Sequence, residues 1–166
     1  MLPNSISPGI APSAVVTVQE LFADSIGDVL LELLRAARDT GAGRVDASII
    51  GAGSDRLLRL SDNGYGIGEP AAIFAHRLPA LGLLSLAGRD VIVRSWSRAA
   101  RQGWSAHITA AAWSGKRPIA ISPDPIDAGT AITFHMPAIG ESALLAALRE
   151  VAELAGVVAT FNGRGI

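Results

Sequence analysis

The chain has 166 residues and no cysteine, which excludes disulfide frameworks and thiolate metal sites and accords with a reducing compartment. Charge is scarce as well. Only 17% of residues are charged, 14 Lys plus Arg against 15 Asp plus Glu, for a net charge of -1. Such a balance creates no field to draw in nucleic acid or an anionic membrane, so neither is expected as a partner. No run reaches the ~18 consecutive apolar residues of a membrane span. The opening "MLPNSISPGIAPSAVVTV" has no Lys or Arg ahead of its apolar residues, so it does not read as a secretory leader. A soluble cytoplasmic protein is the expectation. The three histidines, His76, His107 and His135, stand far apart without ligand spacing, and no metal-binding set is expected from them.

What is present is apolar: 49% of the residues are hydrophobic. A chain of this length fits one domain, burying roughly two thirds of its unfolded surface. Residues 1–15, rich in Pro, Ser and Gly, read as a flexible N-terminal arm, and residues 16–166 as a single domain. From Glu20 the period turns helical, with Phe22, Ile26, Val29, Leu30, Leu33, Leu34 and Ala37 on one stripe. "DTGAG" stops that helix. "RVDASII" alternates as a half-buried strand, and "GAGSD" turns it into "RLLRLS", a hairpin. Glu69 to Gly88, broken at Pro79 and Gly82, predicts a short helix, a kinked loop and a second helix. "DVIVRSW", "WSAHITAAAW" and "GTAITFHMP" read as strands, Glu141 to Ala155 as a helix, and "VVATFNG" as a last strand. Helices gathered on one face of a mixed, mostly antiparallel sheet make an α+β two-layer sandwich.

Three features stand apart from this pattern. Glu32 and Asp39 lie seven residues apart on the first helix, hence about 20° apart around its axis and on one face. On spacing alone an ordinary solvated helix face, with Arg35 and Arg38 as neighbours, explains them better than chemistry does. "LRLSDNGYGIGEP" carries an Asn-Gly pair after an apolar run, the strongest short hairpin signal. Yet Gly64, Gly66 and Gly68 are more glycines than a two-residue turn needs. Glycine also admits a planar ring close to backbone, and the Asp62 carboxylate can accept hydrogen bonds from an exocyclic amine. Gly129 and Thr130 open a late strand, which alone means nothing.

The order of these features carries more than any one of them. "LLELLRAARDTGAGRVDASI", "LRLSDNGYGI", "LGLLSLAGRDVIVRSWS" and the late "GT" together resemble the GHKL ATPase superfamily of gyrase, the large heat-shock chaperone, histidine kinases and MutL. The likeness runs from about Leu21 to Met136 and is nearest to MutL-type N-terminal ATP-binding domains. It implies the Bergerat-type ATP-binding fold and ATP as the ligand. By that resemblance Asp62 accepts the adenine amino group, Gly66 leaves room for the base beside Gly64 and Ile67, and Thr130 supports the contact through its hydroxyl and a bridging water. Glu32 matches the family's general base, Asp39 a carboxylate near the base end, and Gly82 the element that approaches the phosphates.

Two departures bear on turnover. Where the family places a magnesium-binding Asn, four residues after the general base, this chain has Ala36, so Mg2+ is expected to bind weakly: water and phosphate alone hold it, or a substitute reaches in from elsewhere, or hydrolysis has been lost, with Arg35 and Arg38 as candidates to compensate the phosphate charge directly. The segment that would close over the nucleotide is short, about 14 residues from Pro70 to Leu83. A single domain also brings no second-domain cation to the terminal phosphate. The resulting expectation is adenine-nucleotide binding by a minimal stand-alone domain, with slow ATP hydrolysis implied by Glu32 and opposed by Ala36. The alternatives are a non-catalytic nucleotide-sensing or partner-binding module, acting through a protein partner, and a small anti-sigma-type protein kinase.

Overall fold

The computed structural model describes residues 1–74, 82–115, 117–136 and 138–166. Helix α1 spans Pro12–Phe22, α2 Ile26–Asp39 and α3 Glu141–Ala155. The main sheet is built from β2 (Arg44–Ile50), β3 (Leu57–Asp62), β4 (Val91–Ser97), β5 (Gln102–Ile108), β7 (Ser122–Asp124), β8 (Thr130–His135), β9 (Val158–Phe161) and β10 (Arg164–Gly165). These eight strands run in the order β10-β9-β2-β3-β8-β4-β5-β7. All neighbours are antiparallel except β2 and β9. A separate two-stranded ladder pairs β1 (Ser5–Ile6) with β6 (Ile119–Ala120). The architecture is α+β with a mixed, mostly antiparallel sheet, as expected; α2 and α3 pack side by side and share one core with its inward face.

Side chains alternate across a strand, so register decides what meets the helices. One inward row runs from Ala47 through Leu60 and Ile132 to Val93 and Ala106, and four of these five are buried. One step along the strands, on the same side, the row turns polar. There Val45 faces Asp62, and Ser95 faces both Thr130 and Trp104. The stretch "LLRLSD" thus aims Leu58, Leu60 and Asp62 inward in turn, ending an apolar stripe on a carboxylate. The opposite face carries Asp46, Ser48, Arg59, Arg94 and His107, all partly or fully exposed. On that face Arg94 reaches Asp124 on the edge strand β7 through Nε and Nη2, at 2.9 and 2.8 Å. The pairing and hydrogen bonding hold the Asp124 carboxyl below its ordinary value and the Arg94 guanidinium above.

The N-terminal segment differs from expectation. The first fifteen residues, read as a loose arm, include β1 and the start of α1, and Ile6 and Val15 are buried. Pro12 occupies the first turn of α1, where its missing N–H costs nothing. The single predicted helix from Glu20 is two helices. The chain breaks after Phe22, and Ser25 restarts it by accepting a hydrogen bond from the Asp28 N–H at 3.1 Å. Where two helices were expected between Glu69 and Gly88, the described residues form two 3-10 turns, Pro70–Phe74 and Gly82–Leu86. The predicted break at Pro79 falls outside the described residues. The strand expected to run to Trp113 stops at Ile108, and a 3-10 turn, Ala110–Ser114, follows.

Candidate functional site

At the polar end of the sheet a cavity of ≈ 450 Å³ opens between α2 and the strands. Asp39, Asp62, Gly66, Ile67, Gly82 and Thr130 all line it, although they come from four separate stretches of chain. "DNG" does not turn a hairpin. β3 pairs with β2 on one side and with β8, far along the chain, on the other. The chain after Asp62 is instead tied back to the end of α2. Asn63 Oδ1 accepts the Gly43 and Arg44 N–H groups at 3.0 Å each, and the Tyr65 N–H donates to the Thr40 carbonyl at 2.8 Å.

Asp62 sits in this corner with its Oδ1 accepting the Gly64 N–H at 2.8 Å and the Thr130 N–H at 3.3 Å. Burial raises its carboxyl above the ordinary value, and the two N–H groups partly offset that rise. Both hydrogen bonds fall on one oxygen, so among the described residues Oδ2 is the atom left to meet whatever enters.

The glycines have several causes. Gly66 has φ +76°, and a Cβ there would collide with the Trp96 carbonyl. Gly64 lies against Thr40, where a Cβ would come 2.8 Å from the carbonyl oxygen, and it does not line the cavity. These two are therefore required by the protein's own backbone, a closer constraint than the approach of a ring. Only Gly68 of the three has open space around it. Gly129, at φ +66°, fits beneath the Asp62 carbonyl, which is why the late strand must open on glycine.

The far end of the cavity is formed by Ala36 and Gly82. A Cβ on Gly82 would lie 3.2 Å from the Ala36 methyl, so the Gly82–Leu86 turn rests directly on α2. This is a single 3-10 turn of five residues and not an α-helix. Glu32 and Asp39 do share a face of α2, but seven residues at 1.5 Å each separate them by ~10 Å along its axis. Asp39 lines the cavity and Glu32 does not; the Glu32 carboxylate is 3.8 Å from Arg35. Arg38 turns away to donate from Nη1 to the Ala155 carbonyl at 3.0 Å, tying α2 to the end of α3. Neither Arg35 nor Arg38 lines the cavity. For magnesium the fit is poor: Ala36 presents a methyl, and no cluster of three His, Cys, Asp or Glu side chains occurs among the described residues.

A polar framework behind the cavity wall was not visible in the sequence. Ser95, fully buried, accepts the Ile67 N–H at 2.7 Å and lies 2.8 Å from the Thr130 hydroxyl. Trp104 Nε1 donates to the Ile67 carbonyl at 3.0 Å, and Ser97 Oγ donates to the Gly68 carbonyl at 2.6 Å. Side chains from β4 and β5 thereby fix both sides of the Ile67 peptide. The only sequence signal was the polar replacement in the inward alternation Val91, Val93, Ser95, Ser97.

Solved structures share this arrangement of helices and strands. The ATPase domain of Aquifex aeolicus MutL complexed with ADP superposes with a TM-score of 0.60 at 21% identity, over 83% of this chain and 59% of that one. The fold is that of the MutL ATPase domain. A second structure of the Aquifex aeolicus domain gives a TM-score of 0.59 at 18% identity, covering 86% of this chain and 58% of the other. The N-terminal domain of a DNA repair protein gives 0.55 at 14%, covering 86% and 45%. The chain spans less than two thirds of the length of these structures. No protein-family profile matches the sequence, and no curated protein does. Among the described residues, no helix is long and apolar enough to cross a membrane.

Proposed function

We propose that this domain binds an adenine nucleotide in the cavity between α2 and the polar end of the sheet. The observation that carries the reading is the half-buried Asp62 carboxylate at the head of the strand that Thr130 opens, one oxygen held by two backbone N–H groups and the other open to an exocyclic amine. It occurs on the fold of a domain whose relative has been solved with ADP. Adenine offers an amine with a ring nitrogen beside it, whereas guanine offers a carbonyl, which a carboxylate repels.

A second reading, binding without turnover, is favoured by the other end of the site. Ala36 supplies no side-chain oxygen for a metal, Glu32 stands off the cavity lining, and the acidic residues Asp39 and Glu69 are part of that lining. In that reading the domain is a nucleotide-responsive module whose output passes to a protein partner. Calorimetric titration with ADP and ATP, with and without magnesium and alongside a phosphate-release assay, separates the two. The expected result is binding whose affinity changes little with magnesium and release no faster than background. Binding that appears only with magnesium, followed by steady phosphate release, would restore the catalytic reading of Glu32.

A further inference from the structure

The hydroxyl of Ser95 touches both the glycine loop, at Ile67, and the Thr130 hydroxyl. Its oxygen accepts the Ile67 N–H at 2.7 Å, lies 2.8 Å from Thr130 Oγ1, and lies 3.2 Å from the Gly129 carbonyl. A serine hydroxyl has one proton to give. Given to Gly129, it obliges the Thr130 hydroxyl to donate to Ser95, and Thr130 then offers the cavity only lone pairs. Given to Thr130, it frees the Thr130 proton to point into the cavity. Two facts favour the second order. The Gly129 carbonyl already accepts the Trp96 N–H at 3.0 Å, and 2.8 Å is the ordinary O–H···O distance where 3.2 Å is long.

Building on the adenine reading above, we propose that Ser95 is a positioning residue that donates to Thr130 Oγ1 and so turns the Thr130 O–H toward the ligand as a donor. Asp62 then presents an acceptor and Thr130 a donor side by side. That pair matches an amine next to an unprotonated ring nitrogen, directly or through one water. A base with a carbonyl next to a ring N–H meets the opposite pattern at both points. Ser95 also holds the Ile67 peptide, whose carbonyl is fixed by Trp104, so the loop and the reading hydroxyl move as one unit.

The test uses three ligands: ADP, 1-deaza-ADP, which lacks the ring nitrogen, and purine riboside diphosphate, which lacks the amine. The wild-type protein should bind 1-deaza-ADP about tenfold more weakly than ADP, the worth of one neutral hydrogen bond. In Ser95→Ala that penalty should shrink to about threefold or less, because the Thr130 rotor has lost its partner. The penalty for removing the amine should stay at its wild-type size, since Asp62 keeps both its N–H donors. Ser95→Thr retains the hydroxyl and should retain the ring-nitrogen penalty. Thr130→Val should abolish that penalty and keep the other, which serves if Ser95→Ala does not fold. Equal weakening of all three ligands in Ser95→Ala would mean that the residue only supports the fold, and would overturn the inference. So would wild-type protein that binds ADP and 1-deaza-ADP equally well, a result that leaves the adenine reading standing. Wild-type protein that binds none of the three removes both.

Discussion

Asp62→Asn should lower affinity for ADP by about 10- to 150-fold, the ~1.5–3 kcal/mol of a hydrogen bond to a charged group. Affinity for the hypoxanthine analogue IDP should rise at the same time. The Gly64 and Thr130 N–H groups hold an oxygen at the Oδ1 position, so the amide of Asn must place its NH2 where Oδ2 was. A donor then faces adenine's amine, while the carbonyl of hypoxanthine finds a partner. The fold should not suffer. Burial raises the Asp62 carboxyl above its ordinary value, so the folded chain keeps the proton to higher pH than the unfolded chain does. That contribution to stability is full below the unfolded value and is lost as the pH rises through the raised one. At neutral pH the ionised group is a net cost, and the neutral Asn should be as stable as wild type or more so, the difference fading on acidification. Urea unfolding at pH 7 and at pH 4 checks the sign. A variant less stable at pH 7 and equally selective for ADP would contradict both halves.

The largest loss of stability is expected from Trp104→Ala. The indole is fully buried and its Nε1 holds the Ile67 carbonyl, so truncation leaves a large cavity and an unpaired acceptor. Removal of a buried Trp costs about 3–5 kcal/mol, against a total of roughly 5–15 kcal/mol for a domain. The variant should unfold at markedly lower urea, or fail to fold at 37 °C. Trp104→Phe fills most of the space and loses only the hydrogen bond, about 1–3 kcal/mol with the carbonyl left buried. It should fold and bind ADP more weakly, because the Ile67 peptide is then held from the Ser95 side alone. If Trp104→Phe binds ADP as wild type does, the rigid loop contributes nothing to the site.

Where the sequence was legible, strong periodicity made it so. β2 forms over the alternating "RVDASII", and α3 over Glu141–Ala155, the stretch whose apolar residues repeat at helical spacing. Helix α1 is hidden in the sequence because Pro12 and the run Val15, Val16, Thr17, Val18 mask a helix that packs on the Gly82–Leu86 turn. The strands β1, β6 and β7 are two or three residues long, too short to show a period. Of the site, Asp62 and Thr130 were visible as residues, but that they share one corner follows from the pairing of β3 with β8. The sequence reading of Gly66, room for the base, misses its structural cause, the Trp96 carbonyl beneath it, which is a contact between distant stretches. Ser95 carried no signal beyond its place in an alternating strand. Its role depends on what lies opposite it.

The most direct measurement of the central claim is an amide-resolved NMR titration of the labelled protein with ADP. The backbone N–H signals of Gly64 and Thr130, which bond Asp62, and of Ile67, which bonds Ser95, should shift first and furthest, together with Gly66. They should saturate at one common affinity, and GDP at the same concentration should leave them in place. No change at these residues would contradict the account, as would changes gathered at the hollow around Arg149, Asn162 and Arg164, or equal responses to ADP and GDP.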